Sequence, residues 1–259
     1  MNKLHKAFEN GKAFIPFVTA GDPSLDVTER LVLAMADAGA DLIELGIPFS
    51  DPVAEGPVIQ QADERALAAG ATTDRLFDMV CRLRDKTDVP LAFMTYANPV
   101  FVYGADRFMR RCAECGVDAV IVPDLPFEEK NELAPACHAH DVRLISLIAP
   151  TSQARISEIA AQAQGFVYCV SSLGVTGVRS RITTDIGRMI AEVKAVRDIP
   201  CAIGFGISTT EQAREMAAIA DGVIVGSAIV KMVAQYGKDC VQPVADYVRE
   251  MKQTILQGE

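Results

Sequence analysis

Chemistry in this chain begins with its carboxylates. Glu44 lies inside DLIELGI (41–47), a mostly apolar run with no Lys or Arg beside the acid. Such a run reads as a strand buried on both faces. An unpaired carboxylate withdrawn from water is costly, so it marks either chemistry or a carboxylate satisfied by local hydrogen bonds. Beyond the strand the chain passes through a stiff loop punctuated by Gly46, Pro48, Pro52, Gly56 and Pro57, and this loop carries Asp51 and Glu55. A carboxyl desolvated at a strand end can serve in turn as general acid and general base.

Other chemistries find little support. The lysines fall in helical or loop positions rather than at strand ends, which disfavours a Schiff base. His5, His138 and His140 also fall on predicted helices, so a histidine metal site is not expected. Cys112 and Cys115 form a lone CxxC without a second pair and read as helix-packing residues. Seven cysteines, an odd number scattered along the chain, point to reduced thiols rather than a disulfide framework. A formal net charge of -9 argues against a nucleic-acid surface. A small anion could still bind through backbone N–H groups. With no apolar run long enough to span a bilayer and a polar, amphipathic stretch over 1–12, the expectation is a soluble, cytoplasmic protein.

These residues need a scaffold, and the hydrophobic pattern supplies one. Short apolar runs at 14–19, 41–47, 90–96, 118–122, 142–148, 165–170, 200–205 and 222–225 alternate with helical patterns at 24–38, 73–86, 106–115, 128–140, 151–163, 184–196 and 209–218. A final helix over 239–256 is expected to pack against the first. The alternation predicts an α/β fold: one TIM barrel, (β/α)8, over 1–259, with an extra N-terminal helix and a short helix after the eighth strand. AGADLIELG, CGVDAVIVPD and IADGVIVGS echo one another, each running from a helix end into a strand. In such a barrel function sits at the carboxyl ends of the strands, which here bear Thr19, Glu44, Tyr96, Asn98, Asp124, Tyr168, 204–208 and 226–228.

Glycine turns gather on the late strands: Gly174 and Gly177 in SSLGVTG, Gly204 and Gly206 flanking Phe205 in GFGIS, and Gly226 with Ser227 in GSAIV. Glycine admits a ligand close to the backbone, and a helix starting at Ser227 would aim free N–H groups at it. The prediction is a phosphate cradle. The long polar segment 171–182 beside it reads as a lid.

FIPFVTAGDP from Phe14, DLIELGIPFSDP from Asp41, EGPVIQ from Glu55, YANPVF from Tyr96, VPDLP from Val122, SLGVTG from Ser172, GFGIS from Gly204 and GSAIVK from Gly226 occur in an order and spacing that resemble the tryptophan synthase alpha subunit family over essentially the whole chain. The resemblance implies retro-aldol cleavage of indole-3-glycerol phosphate into indole and glyceraldehyde 3-phosphate, without a cofactor in this half. It makes Glu44 the acid and base on the substrate. Glu55 takes the place of the family's second carboxylate, ordinarily an aspartate that hydrogen-bonds the indole N–H. Tyr168 becomes the tyrosine beside the substrate, with Tyr96 near it. Phe17 and Ile59 become walls of the indole pocket, though core packing also explains them, and Tyr168 could simply fill the barrel mouth. Thr176, Gly177, Phe205, Gly206, Gly226 and Ser227 fall on the lid and phosphate cradle. A pyridoxal-phosphate-dependent beta subunit is the implied partner, in an alpha2beta2 complex reached through the barrel mouth around 48–55 and 98–103. Glu55 departs from the family pattern, since one more methylene moves the charge, and displacements near 1 Å cost on the order of a hundredfold in rate. Ser172 and Leu173 also differ from the residues that commonly precede the lid glycine. A sugar-phosphate isomerase on the same scaffold and a non-catalytic ligand sensor are the rival readings.

Overall fold

The computed structural model describes residues 2–170, 179–204 and 206–257. Among these, nine parallel strands form one sheet: β1 (Ala13–Thr19), β2 (Ile43–Gly46), β3 (Leu91–Met94), β4 (Ala119–Ile121), β5 (Arg143–Leu144), β6 (Ser146–Ile148), β7 (Val167–Val170), β8 (Cys201–Gly204) and β9 (Gly222–Val225). The predicted fifth strand over 142–148 is therefore in two pieces. β5 pairs with β4 and β6 pairs with β7, with Ile145 alone between them. The two halves together make the fifth stave of an eight-stave TIM barrel, and the break is where the stave changes neighbours.

The helices are α1 (Leu25–Asp37), α2 (Pro57–Ala68), α3 (Thr73–Arg84), α4 (Ala97–Tyr103), α5 (Ala105–Glu114), α6 (Ala134–Ala139), α7 (Ile156–Gln162), α8 (Arg179–Val196), α9 (Thr210–Ala217), α10 (Ser227–Tyr236) and α11 (Val241–Leu256). α2 and α4 were not among the predicted helices. Each begins with no side-chain cap, so the usual start signal is missing. The helices predicted over 128–140 and 151–163 each open as a 3-10 turn, Phe127–Glu132 and Pro150–Arg155, before widening into α6 and α7. α11 packs on α1 as expected.

Strand residues are mostly apolar because they serve two cores. Ala13, Ile15, Leu42, Ala119, Phe166 and Ala202 fill the lumen, while Phe14, Ile43, Val120, Val167 and Ile203 face the helical layer. Side chains alternate along a strand, so Glu44, two residues after lumenal Leu42, points into the barrel. The extra N-terminal helix is a single 3-10 stretch, Leu4–Phe8. It inserts Leu4 and Ala7 under the lumen and sets Phe8 against Phe166 at 5.5 Å between ring centroids.

The three sequence echoes have one structural cause at the amino ends of the strands. Asp41, Asp118 and Asp221 each stand just before a strand and clasp the strand beside it. The Asp41 carboxylate accepts from Phe14 N–H at 2.7 Å while its own N–H donates to Phe14 C=O at 3.0 Å. Asp118 does the same with Leu91 (3.1 and 2.8 Å), and Asp221 with Cys201 (2.8 and 2.9 Å). Each carboxylate also faces a cation: Lys252 at 2.8 Å, Arg84 at 3.6 Å and Lys194 at 2.9 Å, respectively.

The expectation of seven reduced thiols is corrected. Cys81 on α3 and Cys115 at the end of α5 form a disulfide, with Cα atoms 4.4 Å apart across a sequence separation of 34. The pairing is set by packing of neighbouring helices, which a local CxxC does not report. Cys112 is free and buried in the outer core, in keeping with a packing role. No helix among the described residues is long and apolar enough to cross a membrane.

Candidate active site

At the carboxyl end of the barrel a cavity opens between the strand ends and continues outward along α6 and α7, about 780 Å³ in all. Glu44 reaches it from β2, in register with Phe17 on β1 and Ala92 on β3. It is 0% exposed, and neither carboxylate oxygen has a hydrogen-bond partner among the described residues. Burial alone pushes its pKa up to about 8, because an unpaired anion in a low-dielectric wall is disfavoured against the neutral acid. Nothing among the described residues satisfies the carboxyl locally, and with a pKa near 8 Glu44 is mostly protonated at neutral pH.

Tyr168 stands across the lumen on β7, nearly buried. Its hydroxyl pKa is raised well above the usual value, first by burial and then by the charge of Glu44. The ring lies over β8: a Cβ built on Gly204 would come within 2.3 Å of the Tyr168 oxygen. Gly204, read in the sequence as part of the anion turn, therefore makes room for an aromatic ring. Gly46 does likewise for Phe17, where a Cβ would meet Cζ at 2.6 Å, and a Cβ on Gly226 would meet the same ring at 3.3 Å. Phe17 thus lies between the strand end that bears Glu44 and the turn that opens α10. Ile59 on α2 and Met94 on β3 add apolar wall.

Gly206, Gly226 and Ser227 line the same cavity. Gly206 adopts φ +76°, a left-handed conformation that suits glycine. Gly226 caps α10 without a side-chain hydrogen bond, so the N–H groups of the first turn remain available to an anion. Thr176, Gly177 and Phe205, and the lid apart from the opening of α8, lie outside the described residues.

Glu55 enters from the loop before α2, half-buried. The Asp63 carboxyl and the Tyr96 hydroxyl face its carboxyl and favour the charged form, but burial outweighs both and raises its pKa. Tyr96 is 2% exposed and sits behind Glu55 rather than on the cavity wall. Its hydroxyl accepts from Ala54 N–H at 3.1 Å, and Phe49 stacks beside it at 5.6 Å, so it braces the loop. Asp51 is exposed, with Ser50 donating to it. Asp124 accepts from Ala97 N–H at 3.0 Å and so tethers the start of α4. Asp63 was missed by the sequence reading. The signal was present: Ile59, Ala62, Asp63 and Ala66 are the buried stripe of α2, at the i, i+3, i+4, i+7 spacing of one helix face, and an acid there is an anomaly.

The molecule is similar to known proteins along its whole length. A sequence model of the family described as "Tryptophan synthase alpha chain" matches residues 3–256. The tryptophan synthase alpha chain of Lacticaseibacillus casei is 48% identical over 255 residues, covering 98% of this chain and 96% of that protein. The crystal structure of tryptophan synthase subunit alpha from Legionella pneumophila superposes with a TM-score of 0.90 at 37% identity, covering 99% of each chain. A chain from a Pyrococcus furiosus structure, whose title describes mutual activation in the tryptophan synthase a2b2 complex, superposes with a TM-score of 0.86 at 34% identity, covering 94% of this chain and 98% of that one.

Proposed function

The chain belongs to the tryptophan synthase alpha chain family, and on that premise we propose that its lyase reaction, cleavage of indole-3-glycerol phosphate to indole and glyceraldehyde 3-phosphate, is carried by Glu44 acting in turn as acid and base. The observation behind this reading is the fully buried, unpartnered carboxyl on the cavity wall. Indole is a poor carbanion leaving group, so the ring carbon bearing the glycerol chain must first gain a proton. Glu44, neutral at pH 7 with a pKa near 8, supplies it. Protonation makes the ring a cation, centred on the indole nitrogen, that can accept the electrons of the breaking bond. The Glu44 carboxylate then takes the proton of the adjacent glycerol hydroxyl, the carbon–carbon bond breaks, and the aldehyde forms as the ring electrons return. Glu44 ends protonated, as it began.

The remaining groups hold the substrate for this transfer. Glu55 accepts from the indole N–H and balances the cation in the ring. Phe17 and Ile59 enclose the indole. Tyr168 backs the reacting carbons, with Gly204 letting its ring lie close. The amides at Gly206, Gly226 and Ser227 take the phosphate, helped by the positive end of α10. Backbone amides explain how an acidic protein binds an anionic substrate. The reaction needs only side chains, and pyridoxal phosphate belongs to the beta subunit that receives the indole. Val53 and Val102, 79% and 81% exposed, with Phe101 at 46%, give the barrel mouth an apolar rim suited to that partner in an alpha2beta2 assembly.

Indole release from indole-3-glycerol phosphate, followed with the beta subunit present, tests the assignment. Glu44→Gln is expected to lose at least a thousandfold in kcat while still binding substrate. Turnover within tenfold of the parent protein would remove Glu44 from the chemistry.

A further inference from the structure

Where the resemblance leads one to expect an aspartate, this chain carries the longer Glu55. What the added methylene does is visible in how Glu55 is held. Its Oε2 is buried with no donor facing it among the described residues. The group it meets is the carboxyl of Asp63, 3% exposed on the buried stripe of α2. Two carboxyl groups cannot hydrogen-bond unless one carries a proton, because ionised oxygens only accept. The Tyr96 hydroxyl also faces Glu55; it accepts from Ala54 N–H and keeps its own hydrogen to donate.

Resting on the role of Glu55 given above, we propose that Asp63 is the positioning residue of this site: it shares one proton with Glu55, so the pair carries a single negative charge and the longer side chain is drawn back to the place a shorter aspartate would occupy. Other groups around the pair do not neutralise it. The Thr19 hydroxyl on β1 and the Phe49 backbone N–H face Asp63 and favour its charged form, but they carry no charge of their own, and burial together with the Glu55 carboxyl outweighs them. α10 presents apolar Val230 toward Ile59 and Ala62. The neighbouring cation on α2, Arg65, is engaged with Asp22 through two hydrogen bonds, at 2.9 and 2.8 Å. With no free cation facing the pair among the described residues, a shared proton is what keeps two buried carboxyls together, and burial and the neighbouring carboxyl raise the Asp63 pKa accordingly.

The arrangement predicts a split between turnover and binding. Asp63→Ala and Asp63→Ser leave Glu55 unheld, and kcat for indole release is expected to fall at least tenfold. KM, fixed largely by the distant phosphate cradle, is expected to change less than threefold. Asp63→Asn keeps a hydrogen to donate to Glu55 and is expected to stay within threefold of the parent kcat. Inorganic phosphate binding, measured by calorimetry on each variant, reports that the barrel is folded. Unchanged kcat in both truncations, or an Asn variant as impaired as they are, would overturn the proposal. Glu55→Gln run alongside separates the two ideas: if it is fully active the role of Glu55 itself fails, whereas an inactive Glu55→Gln beside fully active Asp63 truncations defeats only the shared proton.

Discussion

A carboxyl with no partner in a dry wall is a liability for folding, and Glu44 puts a sign on that liability. Its folded pKa of about 8 stands above the ordinary 4.5, so between those values the folded state holds a proton that the unfolded chain releases. Stability contributed by this group is intact below about pH 4.5 and is lost as pH rises toward 8. At pH 7 the linkage amounts to roughly 3 kcal/mol, a large part of an ordinary domain's margin. Glu44→Gln removes the titration and leaves a neutral side chain of the same length. The inactive variant is therefore expected to match the parent in urea unfolding near pH 5 and to exceed it progressively at pH 7 and 8. Equal stability at pH 8 would mean that the carboxylate finds a counter-group in solution. This residue was readable from the sequence because one charge in an apolar run is a violation of pattern. Asp63 breaks a pattern too, but the helix that buries it begins without a capping side chain, so its stripe stands out only once that helix is placed.

Among the elements, α10 carries the clearest division of labour. Its first turn is uncapped and faces the cavity through Ser227, while Ile229, Val230 and Val233 bury its other side. An acid at the first position of a helix is favourable to the helix and unfavourable to a bound phosphate. Ser227→Asp should thus leave thermal stability equal or slightly raised, while KM for indole-3-glycerol phosphate rises at least tenfold and kcat changes little. A variant that binds substrate normally would move the phosphate elsewhere. The start of this helix and the strands before it were legible because glycines and apolar runs fall at the period that elements impose. What stayed hidden arose from tertiary packing. The fifth stave breaks at Ile145 because β5 and β6 pair with different neighbours. The Cys81–Cys115 disulfide joins two helices that become adjacent only in the barrel. Tyr96, at a strand end like the true lining residues, turned out to brace a loop because Ala54 offers its N–H there.

At the scale of the whole barrel, charge is distributed by face. The unpartnered acid Glu44 lies at the carboxyl ends of the strands, where it can react, and three paired aspartates, Asp41, Asp118 and Asp221, lie at the amino ends, where they hold staves together. The three aspartates that follow the repeated helix ends act as clasps, each bonding both backbone groups of a residue on the neighbouring strand. Asp118 is the most buried, at 4% exposure, and also accepts from Lys3 N–H at 2.6 Å, so that it anchors the N-terminal plug as well as β3. Truncating it would orphan two backbone donors and leave the half-buried Arg84 guanidinium without its carboxylate, each a separate penalty in a place water reaches poorly. Asp118→Ala is therefore expected to lower unfolding free energy by about 3 kcal/mol. Because the clasp lies at the opposite end of the barrel from Glu44, kcat and KM measured below the melting transition should stay within twofold of the parent. Impaired turnover in a folded Asp118→Ala protein would show that the amino-end clasps set the position of the catalytic strand ends, and the separation of faces would no longer hold.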